Sequence, residues 1–251
     1  MVDCIYIGII YKVVQYANGN KLVHLLTKEG TNIHLLFKKR EKTQKYFDIE
    51  IGTLVEIKSI TNNAIKIFKS SSTINLFYKW KNTAHEILIL NYLCEIISIF
   101  ANYSSSENNI YKIFIELLNM QESNNKLLLT TSVILKVLDL FGLLKLKHEL
   151  DNLLELSKNK NICISIDENE ATYVIRNQGV KYNTHISTQI LKIQKMIITQ
   201  PLEFINRINL DTSILKNLVY IHTIWIKNVT GKNMKTVPLL LNVFFNHSTK
   251  I

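Results

Sequence analysis

Over residues 1–80 hydrophobic and polar positions alternate with a period of two, and turn residues break the runs. Cys4–Val14 is rich in β-branched and aromatic side chains, and the Asn18-Gly19-Asn20 cluster behind it is turn chemistry. Lys21–Thr27 predicts a second strand; Glu29-Gly30 then offers a position that tolerates positive φ before a third, Asn32–Phe37. After a charged connection, Leu54–Ile60 and Ala64–Phe68 predict two more, with Thr61-Asn62-Asn63 turning the chain between them. Five short strands with one longer polar connection match the rhythm of a five-stranded barrel of the OB type, and an SH3-like barrel has a similar rhythm.

Near Lys81 the period changes to 3.6. Thr83-Ala84-His85-Glu86 is a capping-box pattern, and the helix behind it is apolar nearly all round, which places it at the centre of a helical core. Further helices are expected over 110–118, 127–141 and 147–157. Asn161–Ile166 and Ala171–Arg176 then alternate about Asp167-Glu168-Asn169-Glu170 and predict a β-hairpin. Helices resume over 187–198, from Pro201, from the cap Asp211 to Gly231, and after Thr236-Val237-Pro238. The expected fold class is therefore α+β: an OB-type five-stranded barrel over 1–80, then a helical domain over 81–251 with an inserted hairpin at about 161–176.

Composition changes this picture only through charge. The net charge is +10 and uneven: residues 1–80 hold 12 Lys and Arg against 6 Asp and Glu, residues 81–158 hold 7 against 9, and residues 159–251 hold 11 against 5. A basic head and tail around a near-neutral middle suits two anionic contact surfaces, although an AT-rich coding bias also enriches lysine. Cys4, Cys94 and Cys163 are dispersed, odd in number and never in a C-x-x-C pair, which excludes a disulfide framework and points to the reducing cytoplasm. The N-terminus lacks signal-peptide features. The most apolar stretch, Ala84–Ala101, is interrupted by His85, Glu86, Asn91, Glu95 and Ser98, so no membrane association is expected.

No P-loop, G-x-G-x-x-G, G-x-S-x-G or paired zinc-protease histidine occurs, and the expectation is a protein that is not an enzyme. The seven scattered histidines are read as surface or satisfied structural residues. One cluster stands out: Lys38, Lys39, Arg40, Lys42 and Lys45 lie in the connection between two barrel strands, flanked by Phe37 and Tyr46. Lysine and arginine there neutralise phosphates and release counterions, and an aromatic flank stacks a base. The competing reading is a solvated charged loop with Phe37 and Tyr46 in the core. A second basic surface, Lys232 and Lys235 near Lys227 and Trp225, competes with ordinary helix C-capping.

With these pieces in order the chain resembles RecO, a bacterial family of DNA-repair and recombination-mediator proteins. Gly8-Ile9-Ile10-Tyr11-Lys12 through Lys21-Leu22-Val23-His24-Leu25-Leu26-Thr27-Lys28-Glu29-Gly30 is similar to the family's opening two strands. Phe37-Lys38-Lys39-Arg40-Glu41-Lys42 falls where the family has a basic loop, and Val133–Leu144 looks like its helix ending in L-G-L. Gly231–Leu240 is similar to its G-x-K-x-L-K-S motif. Many members carry four cysteines after the L-G-L helix as a zinc module; only Cys163 stands in that region here, so no zinc and no other cofactor is expected. The resemblance implies a protein that binds single- and double-stranded DNA, anneals complementary strands, and helps load recombinase onto strands coated by single-stranded-DNA-binding protein, together with a RecR-like protein. An RNA-binding OB protein and a helical protein-interaction scaffold are the alternatives.

Overall fold

The computed structural model describes residues 2–38, 49–62, 65–105, 109–143, 146–158, 162–167, 172–177 and 186–245. They form two compact units, 1–122 and 123–251.

The first unit is built on five strands, β1 (Val2–Gln15), β2 (Lys21–Thr27), β3 (Asn32–Phe37), β4 (Thr53–Asn62) and β5 (Ile65–Asn75). Their hydrogen-bonded order is β1-β2-β3-β5-β4, and β4 returns to β1, so the sheet closes into a barrel. Every pairing is antiparallel except β3 with β5, where Leu35 and Leu36 lie beside Lys66 and Ile67. Closure depends on the length of β1. Its first half pairs with β4 from Val2 to Ile10, and its second half pairs with β2 from Gly8 to Gln15. A register shift between Ile10 and Lys12 leaves Tyr11 as the extra residue, the device by which a strand bends from one partner to another. Gly8 lies inside this turn-over: a Cβ there would stand 2.4 Å from the Leu26 carbonyl oxygen, so glycine is what permits the close crossing.

Alternation fills the interior with Ile10, Val23, Leu25, Ile33, Leu35, Phe37, Val55 and Ile57. Ile9 and Leu26 are neighbours of opposite parity, yet both are fully buried, because one patch of the outer surface is also covered. Helix α1 (Ala84–Phe100) packs against β1. Gly52, at φ +68°, meets it closely: an added Cβ would stand 2.6 Å from Leu90 Cδ1. Phe77 takes a left-handed backbone at φ 47°, with its amide donating to Asn75 Oδ1 at 2.8 Å, and this bend ends the barrel. Trp80, fully buried, donates from Nε1 to the Leu118 carbonyl at 3.1 Å, in α2 (Tyr111–Asn119). These contacts move the boundary. The helix expected at the centre of a separate domain from 81 belongs instead to the compact unit that holds the barrel, which runs to Glu122.

In the second unit, α3 (Lys126–Leu140) is the central element and is buried over nearly its whole length. Around it stand α5 (Thr188–Thr199), α6 (Leu202–Ile205) and α7 (Thr212–Thr230), while α4 (Leu146–Leu156) packs on α5 and α8 (Val237–Phe245) on α7. Two polar residues of α3 are absorbed locally: Thr131 and Ser132 donate to the carbonyls of Leu127 and Leu128, each at 2.8 Å. The expected hairpin is present as β6 (Ile162–Asp167) and β7 (Thr172–Asn177), paired antiparallel from Ile162 with Asn177 to Asp167 with Thr172. Pro201 sits at the N-cap of α6, which is one turn long, so the expected helix from that point is brief. Among the described residues no helix is long and apolar enough to cross a membrane.

Candidate nucleic-acid interface

Strand parity sorts the residues of β1, β2 and β3 into an inner and an outer set. Phe37 belongs to the inner set. Its ring is 9% exposed and stacks on Phe68 with centroids 3.9 Å apart, so it closes the end of the barrel and does not stack a base from solution. That corrects the expectation for Phe37, for a physical reason: it follows Ile33 and Leu35 at intervals of two and shares their side of the sheet. Lys38, one position on, is exposed. Lys39, Arg40, Lys42, Lys45 and Tyr46 lie outside the described residues.

The outer set forms two rows across the three strands. One row is Lys12, His24 and His34, in direct cross-strand register. The other is Val14, Leu22 and Leu36, also in register. Val14 is exposed, Leu22 and Leu36 half-buried. Beside them Tyr16, 59% exposed, stands at the start of the β1–β2 turn. This is a surface of cations, flat rings and short aliphatic chains. Acids are sparse on it: β2 and β3 contain none, and Asp3, the acid of β1, is paired with Lys69 at 3.3 Å.

The polar row is held from one side. The bulge residue Tyr11 donates its hydroxyl hydrogen to Asn32 Oδ1 at 2.7 Å, and Asn32 Nδ2 donates to Asn102 Oδ1 at 2.7 Å. The His24 ring centroid lies 5.8 Å from that of Tyr11 and 4.3 Å from that of His34. Burial, the neighbouring His34 and the Lys12 ammonium push His24 down to about 4. Burial, then Lys66 and Lys12, lower His34 also. Both rings are neutral at neutral pH, while the lysines around them are charged. A positive field over uncharged, stackable rings is chemistry suited to an anion carrying a flat group.

Lys232 and Lys235 belong to the second unit, on the segment between α7 and α8, and both are exposed. Gly231, at φ +68°, ends α7, and its amide donates to the Lys227 carbonyl at 2.8 Å. Lys227 is thus the basic residue of the last helical turn, a position where the dipole favours a cation. Among the described residues no three His, Cys, Asp or Glu side chains gather as a metal-binding group.

Sequence reasoning singled out the charge run and missed Lys12, His24, His34 and Tyr16. Isolated histidines in two different strands carry no local signal. Only the register, which sets His24 opposite His34, makes them one feature. No protein-family model matches this sequence, and no curated protein matches it either.

Proposed function

We propose that the chain is a non-enzymatic nucleic-acid-binding protein of the recombination-mediator type, whose barrel is an OB fold and whose outer β1–β3 face receives single strands. One observation carries the reading: a closed five-stranded barrel ordered β1-β2-β3-β5-β4, with β3 and β5 parallel, presents Lys12, His24, His34 and Lys38 on and beside one acid-poor surface. OB barrels take nucleic-acid strands across this part of the sheet by backbone charge and by stacking. The sequence of the adjoining β3–β4 connection adds Lys39, Arg40, Lys42 and Lys45. The resemblance to RecO supplies the finer statement, namely strand annealing and cooperation with a RecR-like protein and single-stranded-DNA-binding protein. Annealing asks for no active site, since neutralising two phosphate backbones lowers their repulsion.

The test is equilibrium binding of the full chain to oligonucleotides, read by anisotropy over a salt series. Sequence-tolerant binding to single-stranded DNA that weakens steeply with salt is expected, with acceleration of annealing between complementary strands. Preference for RNA over DNA of equal length in competition would move the reading to an RNA-binding protein. No retention of either at low salt would leave the helical unit as a protein-interaction scaffold.

A further inference from the structure

We infer that His24 and His34, together with Lys12, form a phosphate-binding subsite on the outer face of the barrel, and that it takes up a phosphodiester group and a proton together. This deepens the nucleic-acid reading and rests on it. The geometry is a single cross-strand row: Lys12 opposite His24, and His24 opposite His34, with the two imidazole rings 4.3 Å apart and tilted by 56°. The groups that act on the pair from neighbouring strands are Tyr11 and Lys12 of β1 and, by charge, Lys66 of β5, whose ammonium stands over the Tyr6 ring at 5.6 Å; none of them is acidic.

Two adjacent imidazoles beside lysines resist protonation because each added charge meets others already there. Burial adds to this, and together these causes hold His24 at about 4 and lower His34. A phosphodiester oxygen changes the balance. It accepts an N–H from a neutral ring, and its negative charge offsets the repulsion, so the ring takes a second proton from solvent and becomes an imidazolium paired with the phosphate. A transition-metal ion also favours paired neutral imidazoles, but Lys12 and Lys66 repel a dication and attract an anion. The complex therefore holds protons that the free protein does not. Affinity rises as pH falls below the histidine pKa of the complex, and the gain levels off below that of the free protein.

Binding of a dye-labelled oligothymidylate to the full chain at constant ionic strength, between about pH 8 and pH 6, tests this, because neither thymine nor the phosphodiester titrates there. The expected result is an affinity gain approaching about tenfold per pH unit for each proton taken up. In the double variant His24→Gln, His34→Gln that gain is lost, and affinity stays flat between about pH 8 and pH 6. Glutamine keeps a donor and does not titrate. If the double variant fails to fold by circular dichroism, the single variant His34→Gln, at the more exposed position, should lose part of the gain. A parent whose affinity ignores pH, or variants with the parent's pH profile, overturn the subsite and leave nucleic-acid binding standing. No binding at any pH overturns both.

Discussion

His222 is wholly buried in the helical unit and stacked on Trp225, with ring centroids 5.6 Å apart. Its Nδ1 lies 3.0 Å from the Thr131 carbonyl oxygen, which can only accept, so Nδ1 carries the proton; Nε2 is buried without a partner among the described residues. Burial pushes this histidine down to about 3. The unfolded chain protonates it near its ordinary value of about 6.5, and the native state does so only far below. The unfolded state thus binds more protons as pH falls between those two values, and native stability drops across the interval. Urea unfolding at about pH 7 and pH 5 should differ by roughly 2 kcal/mol from this one group. The variant His222→Gln should show a correspondingly shallower dependence. The same scale explains what was legible at Phe37. Its interval of two from Leu35 already implied an inward ring, and its place beside a charge run drew the opposite expectation. Truncation of that ring to alanine should cost about 3 kcal/mol in stability. Measured where the protein is still folded, oligonucleotide affinity should be unchanged, because the ring is occupied with Phe68.

Elements were readable where local chemistry dictated them and obscure where pairing did. The start of α1 is a local matter. Thr83 Oγ1 accepts from the Glu86 amide at 3.2 Å, and the Thr83 amide donates to Glu86 Oε2 at 3.1 Å, the reciprocal pair that the four-residue pattern announces. Thr83→Ala should lower stability by about 1 kcal/mol, seen as a shift in the urea midpoint with no change in nucleic-acid affinity. Strand β5 shows the opposite case. Apolar alternation ends at Phe68, yet the strand continues to Asn75 through Lys69, Ser70, Ser71 and Ser72. Those residues stay extended because β4 supplies their hydrogen bonds, with Ser70, Ser71 and Ser72 opposite Lys58, Ile57 and Glu56. A backbone ladder needs no apolar side chain, so a hydrophobic pattern cannot report it. The position of α1 was hidden for a similar reason: its apolar surface is plain in the sequence, but the partner it covers is set by Gly52 and by the bend at Phe77.

At the scale of the molecule, charge and topology meet. The barrel was legible because turn residues punctuate its strands, and one of the two basic stretches of the chain, residues 1–80, falls in the same unit. What the sequence concealed is which side chains share a surface, since Lys12, His24 and His34 are separated along the chain and joined only by closure of the sheet. This yields a prediction that separates a general positive field from a defined face. Lys12→Glu and Lys38→Glu each reverse one cation at the β1–β3 surface, whereas Lys69→Glu reverses one that is already paired with Asp3 across β1 and β5. If strands lie on the β1–β3 face, either of the first two variants should flatten the slope of log affinity against log salt by about 0.7 on single-stranded DNA. Lys69→Glu should leave the slope unchanged while changing net charge by the same amount. Equal effects from all three would mean that only the total charge matters, and that the aligned rows of Lys12 and Val14 are incidental to binding. Slopes that respond to position, with annealing rates falling in the same order, would tie strand capture to the register of three particular strands.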